Sequence, residues 1–454
     1  MKRGTIHSYH TKSIGIAVAE MTQFNYMLEV DWFLRQMPVN TAKAKTTFVV
    51  HRSPPLVAEA NSKARTPSFA FVFPVTEQFG THHSKMMWIL YEDRRAHLII
   101  HTANLIERDW GKKSQFVWVS SLLQPKTPSG ETTGPNRAFE RDLLLYLDAY
   151  GKDLADLRDC IKRYDFSHEV GMIVASAPGR HKSNGAGGNT INRWGYRRLA
   201  ALLKQDLTLS HDLEKDSTLV FQYSSVGSLG KDDGWLMSEF ATALNSSSQT
   251  KLSPLMRPKK VALVFPTVAQ VRDSLQGWPA GNSIPFSNDN WTKQKSYMRP
   301  LLKSWIAVDA ERERAMPHVK TFSRVNEATK ELAWLLVTSH NLSKAAWGSL
   351  ELKGTQLFIR SYEIGVLIMP AYFKATKSQS VMMKAVTAEE LRGLQPSLVS
   401  AQDAKREDAD QEEVIVPVRL PFDLPLTSYT AFEEPWRWDV AFQGVDSHGN
   451  TRDI

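Results

Sequence analysis

Two sets of residues in this chain have the types and spacing to do chemistry together. His83-Ser-Lys85 is followed after 18 residues by Asn104, and His318-Val-Lys320 is followed after 20 residues by Asn341. The match continues downstream, with Asn104-Leu-Ile-Glu-Arg-Asp-Trp110 against Asn341-Leu-Ser-Lys-Ala-Ala-Trp347. A histidine can attack phosphorus or move a proton. A lysine brings a point charge to a phosphate oxygen, and an asparagine amide brings a neutral donor. Two copies supply two of each. Two histidines on opposite sides of a phosphorus could attack it and protonate its leaving group. No Asp, Glu or Cys cluster with metal-ligand spacing accompanies them, so the expected site is metal-free.

The elements around these residues follow from local pattern. In a strand, residues i and i+2 share a face. The runs Met86-Met-Trp-Ile-Leu-Tyr91, His97-Leu-Ile-Ile-His101 and Ala333-Trp-Leu-Leu-Val337 read as buried strands. Each His-x-Lys is therefore expected on sheet, and each Asn where a strand gives way to a loop. Thr46–Val50, Phe69–Phe73, Val170–Ala175 and Val261–Phe265 read as further strands. Glu29–Gln36 reads as a helix ending before Pro38, and Phe139–Tyr164 reads as helical. Such alternation argues an α/β fold. Pro125–Pro135 and the Gly- and Asn-rich His181–Asn192 read as loops, Lys405–Glu413 reads as a solvated charged loop, and residues 1–23 carry no usable pattern.

The bulk composition is that of a soluble globular chain. It has 454 residues, 42% hydrophobic and 23% charged, enough for more than one core. The net charge of +8 and pI near 9.3 favour a polyanionic partner. Cys160 is the single cysteine, which excludes an intrachain disulfide and a cysteine metal site. The N-terminus lacks an apolar signal core, and no apolar run is long enough to span a bilayer, so a soluble intracellular protein is expected.

The doubled His-x-Lys/Asn pattern resembles the phospholipase D superfamily, and within it the tyrosyl-DNA phosphodiesterase family. Further segments resemble that family in order: Asn25–Trp32, Gly80–Met87, Gln222–Gly230, Ala315–Thr321, Asn341–Gly348 and Ser361–Leu367. The resemblance runs from about Phe24 to the C-terminus. It implies two similar phospholipase D-like α-β-α sandwich domains, residues 1–167 and 168–454, with the active site at their pseudo-twofold interface. It also implies that the chain lacks the family's long N-terminal regulatory extension and the first part of its catalytic core.

The implied activity is metal- and cofactor-independent hydrolysis of the 3′-phosphotyrosyl bond left by a trapped type IB topoisomerase, and of other 3′-end adducts. His83 would form a phosphohistidine. His318 would protonate the leaving phenol and then activate water. Lys85, Lys320, Asn104 and Asn341 would bind the phosphate oxygens. Gln115, eleven residues after Asn104, and Glu363, twenty-two after Asn341 within the strand-like run Ile359–Leu367, match supporting positions. Either could hold the second nitrogen of either histidine. Tyr26, Phe79 and Trp438 fall where the family places aromatics, and Ser224, Ser225, Ser228 and Ser343 where it contacts DNA. His82, His97, His101 and His340 read as structural, with His340 standing where the family has a small residue. The expected partner is a single- or double-stranded DNA 3′ end bearing a topoisomerase I peptide, bound by a nuclear monomer away from membranes. A lipid substrate is disfavoured, because many lipid-acting members carry Asp five residues after the motif Lys, where this chain has Leu90 and Val325.

Overall fold

The computed structural model describes residues 16–37, 44–63, 68–127, 136–184, 188–250, 256–376, 378–393 and 413–453. It divides into two compact units. One comprises Met1–Gly195, Val337–His340 and Lys344–Val366, and the other Tyr196–Leu336, Asn341–Ser343 and Leu367–Ile454.

The first unit is built on a six-stranded sheet. Its strands are β1 (Val18–Asn25), β2 (Lys45–Val50), β3 (Phe69–Val72), β4 (Met86–Tyr91), β5 (Ala96–His101) and β6 (Val117–Val119), in the order β3-β2-β1-β4-β5-β6. β1, β2 and β3 run parallel, and β4, β5 and β6 continue antiparallel from β1. Parallel neighbours require crossovers, and the helices Val30–Gln36 and Pro54–Lys63 supply them. Val30, Trp32 and Phe33 of the first helix join Phe48, Val50, Ile89 and Tyr91 in one core. β5 is buried along its whole length, which explains its unbroken apolar run. Later in this unit come β7 (Met172–Ser176) and β8 (Gly179–Lys182).

The second unit repeats the plan. β9 (Thr218–Gln222), β10 (Val261–Val264), β11 (Leu302–Lys303), β12 (Thr321–Val325) and β13 (Glu331–Thr338) take the order β11-β10-β9-β12-β13. Again β9, β10 and β11 are parallel and β12 is antiparallel to β9. The duplication read from the motifs is thus a duplication of strand order. β14 (Ser349–Glu351), β15 (Gln356–Ile359) and β8 form a small antiparallel sheet in the first unit. β16 (Glu363–Ile368), β17 (Val381–Ala385) and β18 (Val414–Val418) complete the described strands.

The α/β class holds, and four local readings change. Each His-x-Lys lies just before its strand, not on it, since β4 opens at Met86 and β12 at Thr321. Phe139–Tyr164 is not one helix: Arg137–Asp148 stops, and Gly151 turns the chain at φ 62° into the short helices Gly151–Leu154 and Ala155–Ile161. The strand-like run Ile359–Leu367 is two strands: β15 ends at Ile359 and β16 opens at Glu363. His181 and Lys182, read as loop, close β8. Residues 1–15, 128–135, 185–187 and 405–412, which fall within other stretches read above, lie outside the described residues.

One backbone approach fixes where the first motif begins. A Cβ on Gly80 would stand 1.9 Å from the Arg360 carbonyl oxygen and 2.6 Å from its carbon. Both atoms are backbone and cannot swing away. Gly80→Ala should therefore lower stability in urea unfolding by about 1–3 kcal/mol or more. Gly111→Ala is the control: no atom lies within 4 Å of its Cβ position, inside the helix Glu107–Lys112. That change should stabilise by about 0.5–1 kcal/mol. Equal midpoints for the two variants would contradict this reading of Gly80.

Candidate active site

In the first unit a short ladder brings distant sequence to His83. Thr81 N–H donates to Ser361 Oγ (3.0 Å), Tyr362 N–H to the Thr81 carbonyl (3.0 Å) and His83 N–H to the Tyr362 carbonyl (3.0 Å). The next residue, Glu363, then reaches the imidazole: its Oε2 lies 2.9 Å from His83 Nδ1. Ser339 Oγ donates to the same oxygen at 2.5 Å and accepts the Ile364 N–H at 3.0 Å. Glu363 is only 3% exposed. A carboxylate there accepts a hydrogen bond from the ring, so Nδ1 carries the hydrogen and donates it, and the lone pair falls on Nε2. Glu363 thus hydrogen-bonds His83, one half of the pairing the sequence left open.

Lys85 is fully buried, and its Nζ donates to the His83 carbonyl at 3.0 Å. Burial pulls its pKa down to about 8, against the opposing charges of Glu363 and Asp109. Asn104 is set by Asp109, whose Oδ2 accepts the Asn104 N–H at 2.8 Å, and by Trp110, whose indole donates to the Asn104 carbonyl at 2.8 Å. Gln115 accepts from Thr102 Oγ1 (2.8 Å) and donates to the Asp109 carbonyl (3.1 Å). Tyr26 stands edge-on to the His83 ring with centroids 5.5 Å apart, and its other neighbour is the His51 ring at 5.1 Å.

The second unit repeats the lysine contact: Lys320 Nζ donates to the His318 carbonyl at 2.5 Å, and Lys320 is fully buried. Asn341 is held differently. Its Oδ1 accepts from Ser224 N–H (3.2 Å), Ser224 Oγ (3.2 Å) and Ser225 N–H (3.0 Å). Three donors on the oxygen fix the amide and turn its NH₂ to the role of donor. Ser224 is buried and committed to Asn341, so it acts as a holder where the resemblance implied a DNA contact. Gly227 N–H donates to the Leu342 carbonyl, and a Cβ at Gly227 would stand 2.7 Å from the Cβ of Ser343. The first unit has the matching bridge, Glu29 N–H to the Leu105 carbonyl at 2.9 Å.

The remaining residues sort by exposure. Phe79 is 83% exposed and held at φ 61°, a conformation that a bulky side chain rarely adopts. Trp438 is 51% exposed, Ser228 is exposed and Ser343 half-buried. His82 and His340 have the bonding of structural histidines. His340 hydrogen-bonds Ser176 (2.9 Å) and Thr338 (2.5 Å) and stacks on Trp347 at 4.1 Å. His97 meets the Tyr91 hydroxyl at 2.9 Å, and His101 lies 5.6 Å from the Trp110 ring. Ser339, Asp109, Asn25 and His51 are contributors that the sequence reading missed. Asp109 carried a signal, since it falls within the echo after Asn104, but its counterpart Ala346 broke the match. Among the described residues no group of three or more His, Cys, Asp or Glu could hold a metal ion, and no helix is long and apolar enough to cross a membrane.

Sheets of matched strand order, each with a buried His-x-Lys pair just before its fourth strand and an anchored Asn after its fifth, are a phospholipase D-like design. The comparisons narrow the class. The tyrosyl-DNA phosphodiesterase family model matches residues 11–430. The chain is similar to tyrosyl-DNA phosphodiesterase 1 of Arabidopsis thaliana, at 33% identity over 446 residues, covering 94% of this chain and 70% of that one. It is also similar to a probable tyrosyl-DNA phosphodiesterase of Caenorhabditis elegans, at 33% identity, covering 94% of this chain and 83% of that one. A crystal structure of the yeast tyrosyl-DNA phosphodiesterase shares the fold, with TM-score 0.63, 19% identity and 92% and 93% coverage of the two chains. This chain belongs to the tyrosyl-DNA phosphodiesterase family, and it is a phosphodiesterase hydrolase.

The charge on Lys85 sets a pH dependence. With its pKa near 8, the free enzyme loses this ammonium as pH rises through that value, so kcat/KM should fall on an alkaline limb near pH 8. Stability runs the other way. Between about 8 and the unfolded value near 10.4, the unfolded chain binds the proton and the native chain does not, so this residue's contribution to stability rises with pH. Glu363→Gln removes a charge that raises the Lys85 pKa. The limb should move to lower pH, and kcat should fall by on the order of 10²–10⁴ as the imidazole loses its carboxylate. A limb unmoved in Glu363→Gln would separate Lys85 from this profile.

Proposed function

We propose that this chain hydrolyses 3′-phosphotyrosyl bonds in DNA, the kind left by a trapped topoisomerase I, together with other 3′-end adducts. The observation that carries the reading is the His83 Nδ1–H to Glu363 hydrogen bond, which puts the ring's lone pair on Nε2. Family membership and the relatives' names supply the substrate class. His83 Nε2 attacks phosphorus, and the bond to the tyrosine oxygen breaks. His318, protonated at the start, gives its proton to the departing phenoxide. Water then attacks the phosphohistidine while His318 takes a proton from it, releasing DNA 3′-phosphate and restoring His83. Lys85, Lys320, Asn104 and Asn341 stabilise the charge on the non-bridging oxygens. Phe79, Tyr26 and Trp438 offer faces to unpaired bases, and such stacking is tolerant of sequence. The reading extends to single- and double-stranded 3′ ends, an exonuclease-like removal of terminal groups, a monomeric state and a nuclear role in DNA repair.

The two steps ask different things of His318. Phenol, with a pKa of about 10, leaves with modest acid help. Water, with a pKa of roughly 16, depends more on a base. On a labelled 3′-phosphotyrosyl oligonucleotide, His318→Ala should therefore accumulate an enzyme–DNA adduct stable to SDS and released by acid, and His83→Ala should form neither adduct nor product. Adduct from His83→Ala but none from His318→Ala would reverse the roles. Turnover should survive excess EDTA; loss with EDTA and rescue by magnesium would refute the metal-free mechanism.

A further inference from the structure

A chain of buried polar groups lies behind the first His-x-Lys, and neither the reaction nor the resemblance uses it. Ser84, the middle residue of His83-Ser84-Lys85, hydrogen-bonds the Tyr146 hydroxyl. Tyr146 OH lies 2.6 Å from Tyr150 OH, and Tyr150 OH lies 3.0 Å from His82 Nε2. His82 Nδ1 lies 3.2 Å from the Asn25 carbonyl oxygen. Ser84, Tyr146, His82 and Asn25 are fully buried, and Tyr150 nearly so.

The direction of this chain can be worked out. The Asn25 carbonyl can only accept, so His82 carries its hydrogen on Nδ1. His82 Nε2 is then the acceptor and Tyr150 must donate to it. Tyr150 oxygen in turn accepts from Tyr146, and Tyr146 accepts from Ser84. Burial raises the pKa of both phenols and lowers that of His82 to about 3, so no link changes protonation state in the working range. A chain ending on a carbonyl has no proton sink. It holds groups in place and does not conduct protons.

Asn25 extends the hold to the rest of this half. Its carbonyl also receives the His51 N–H (3.3 Å), its Oδ1 accepts the Tyr26 N–H (2.9 Å), and its Nδ2 donates to the Ala103 carbonyl (3.3 Å), next to Asn104. Tyr150 stacks on Tyr362 with centroids 4.3 Å apart, and the Tyr362 carbonyl is the acceptor for His83 N–H. The second motif has Val319 where the first has Ser84, so a serine-to-tyrosine relay of this kind has no counterpart there.

We propose that the relay Ser84–Tyr146–Tyr150–His82–Asn25 positions the nucleophilic half of the site, with Tyr150 and Asn25 as positioning residues for His83, Lys85 and Tyr26. This deepens the phosphodiesterase reading and rests on it. The relay acts through geometry, and small displacements of a reacting group are costly to rate.

The test compares wild type with Tyr150→Phe, Ser84→Ala and the double variant. Tyr150→Phe keeps the ring and cuts the chain. Single-turnover rates at saturating 3′-phosphotyrosyl oligonucleotide should fall about ten- to hundredfold in each single variant, with KM changed less than about twofold. The double variant should be no slower than the slower single, because both cut one chain. Selective ¹⁵N-histidine NMR should show His82 as the Nδ1–H tautomer in wild type, and in Tyr150→Phe the same tautomer, still held by the Asn25 carbonyl, with its Nε2 resonance shifted by loss of the hydrogen bond from Tyr150. Lowered melting temperatures with unchanged rates would reduce the relay to a structural feature and overturn the proposal, as would multiplying effects in the double variant or the other His82 tautomer in wild type. If wild type fails on the phosphotyrosyl oligonucleotide yet cleaves a p-nitrophenyl phosphodiester, the substrate reading falls, and the variants' rates on that ester decide the relay.

Discussion

The site depends on burying three charges in one small volume. Glu363, Lys85 and Asp109 are all withdrawn from water, and the two carboxylates raise the pKa that burial lowers at Lys85. An isolated buried charge is costly, and removing one member of a buried pair strands the other. The three therefore stand or fall together. Each is also tied by hydrogen bonds, Glu363 to His83 and Ser339, Lys85 to the His83 carbonyl, and Asp109 to the Asn104 backbone. That pattern costs stability compared with an apolar core of the same volume. In return it delivers a ring of fixed tautomer and a lysine whose charge is poised rather than permanent.

Duplication explains the frame but not the details. Strand order, strand direction and the lysine-to-carbonyl contact are repeated in the two units. The devices that hold each asparagine are not. Asn104 is held through its backbone by a buried carboxylate, and Asn341 through its side-chain oxygen by three donors from Ser224 and Ser225. The support behind the motifs differs as well, a polar relay behind Ser84 and an amide contact, Gln222 Nε2 to the Val319 carbonyl at 2.9 Å, behind the other. Halves with the same reacting groups but different supports are suited to unequal tasks. This suits the proposed reaction, in which one histidine would be bonded to phosphorus and the other would handle protons.

What the sequence revealed follows the range of the interactions concerned. β2, β4, β5, β10 and β13 were legible because apolar periodicity is local. The asparagines at strand ends were legible because each ends such a run. The Glu363–His83 pair was not, because the two residues are 280 positions apart and meet only through the ladder from Thr81 to Tyr362. Glu363 was visible as a candidate while its partner was not. The helical reading of Phe139–Tyr164 failed at Gly151, where an apolar pattern that continues past the turn hides the break. Ser224 was placed among the DNA contacts by resemblance alone; in the structure it is buried and its hydroxyl donates to the Asn341 amide oxygen, a partner 117 positions away.

Phe79 shows how support and exposure are combined. A phenylalanine at φ 61° carries backbone strain of about 1–3 kcal/mol, and its exposed ring recovers little of that by burial. The loop holds it anyway. Gly80 N–H bonds the Glu77 carbonyl at 2.8 Å, and Arg360 Nη1 donates to the Gln78 carbonyl at 2.8 Å. Arg360 is also the residue whose own carbonyl presses on Gly80 and whose successor, Ser361, starts the ladder to His83. Arg360 is fixed in turn by its N–H to the Ala345 carbonyl and by its guanidinium over the Phe358 ring at 4.8 Å. One residue thus sets both the exposed aromatic and the start of the segment that carries His83. A shift of Arg360 would move the exposed Phe79 ring and the His83 ring in concert, so the spacing between them is a property of the scaffold.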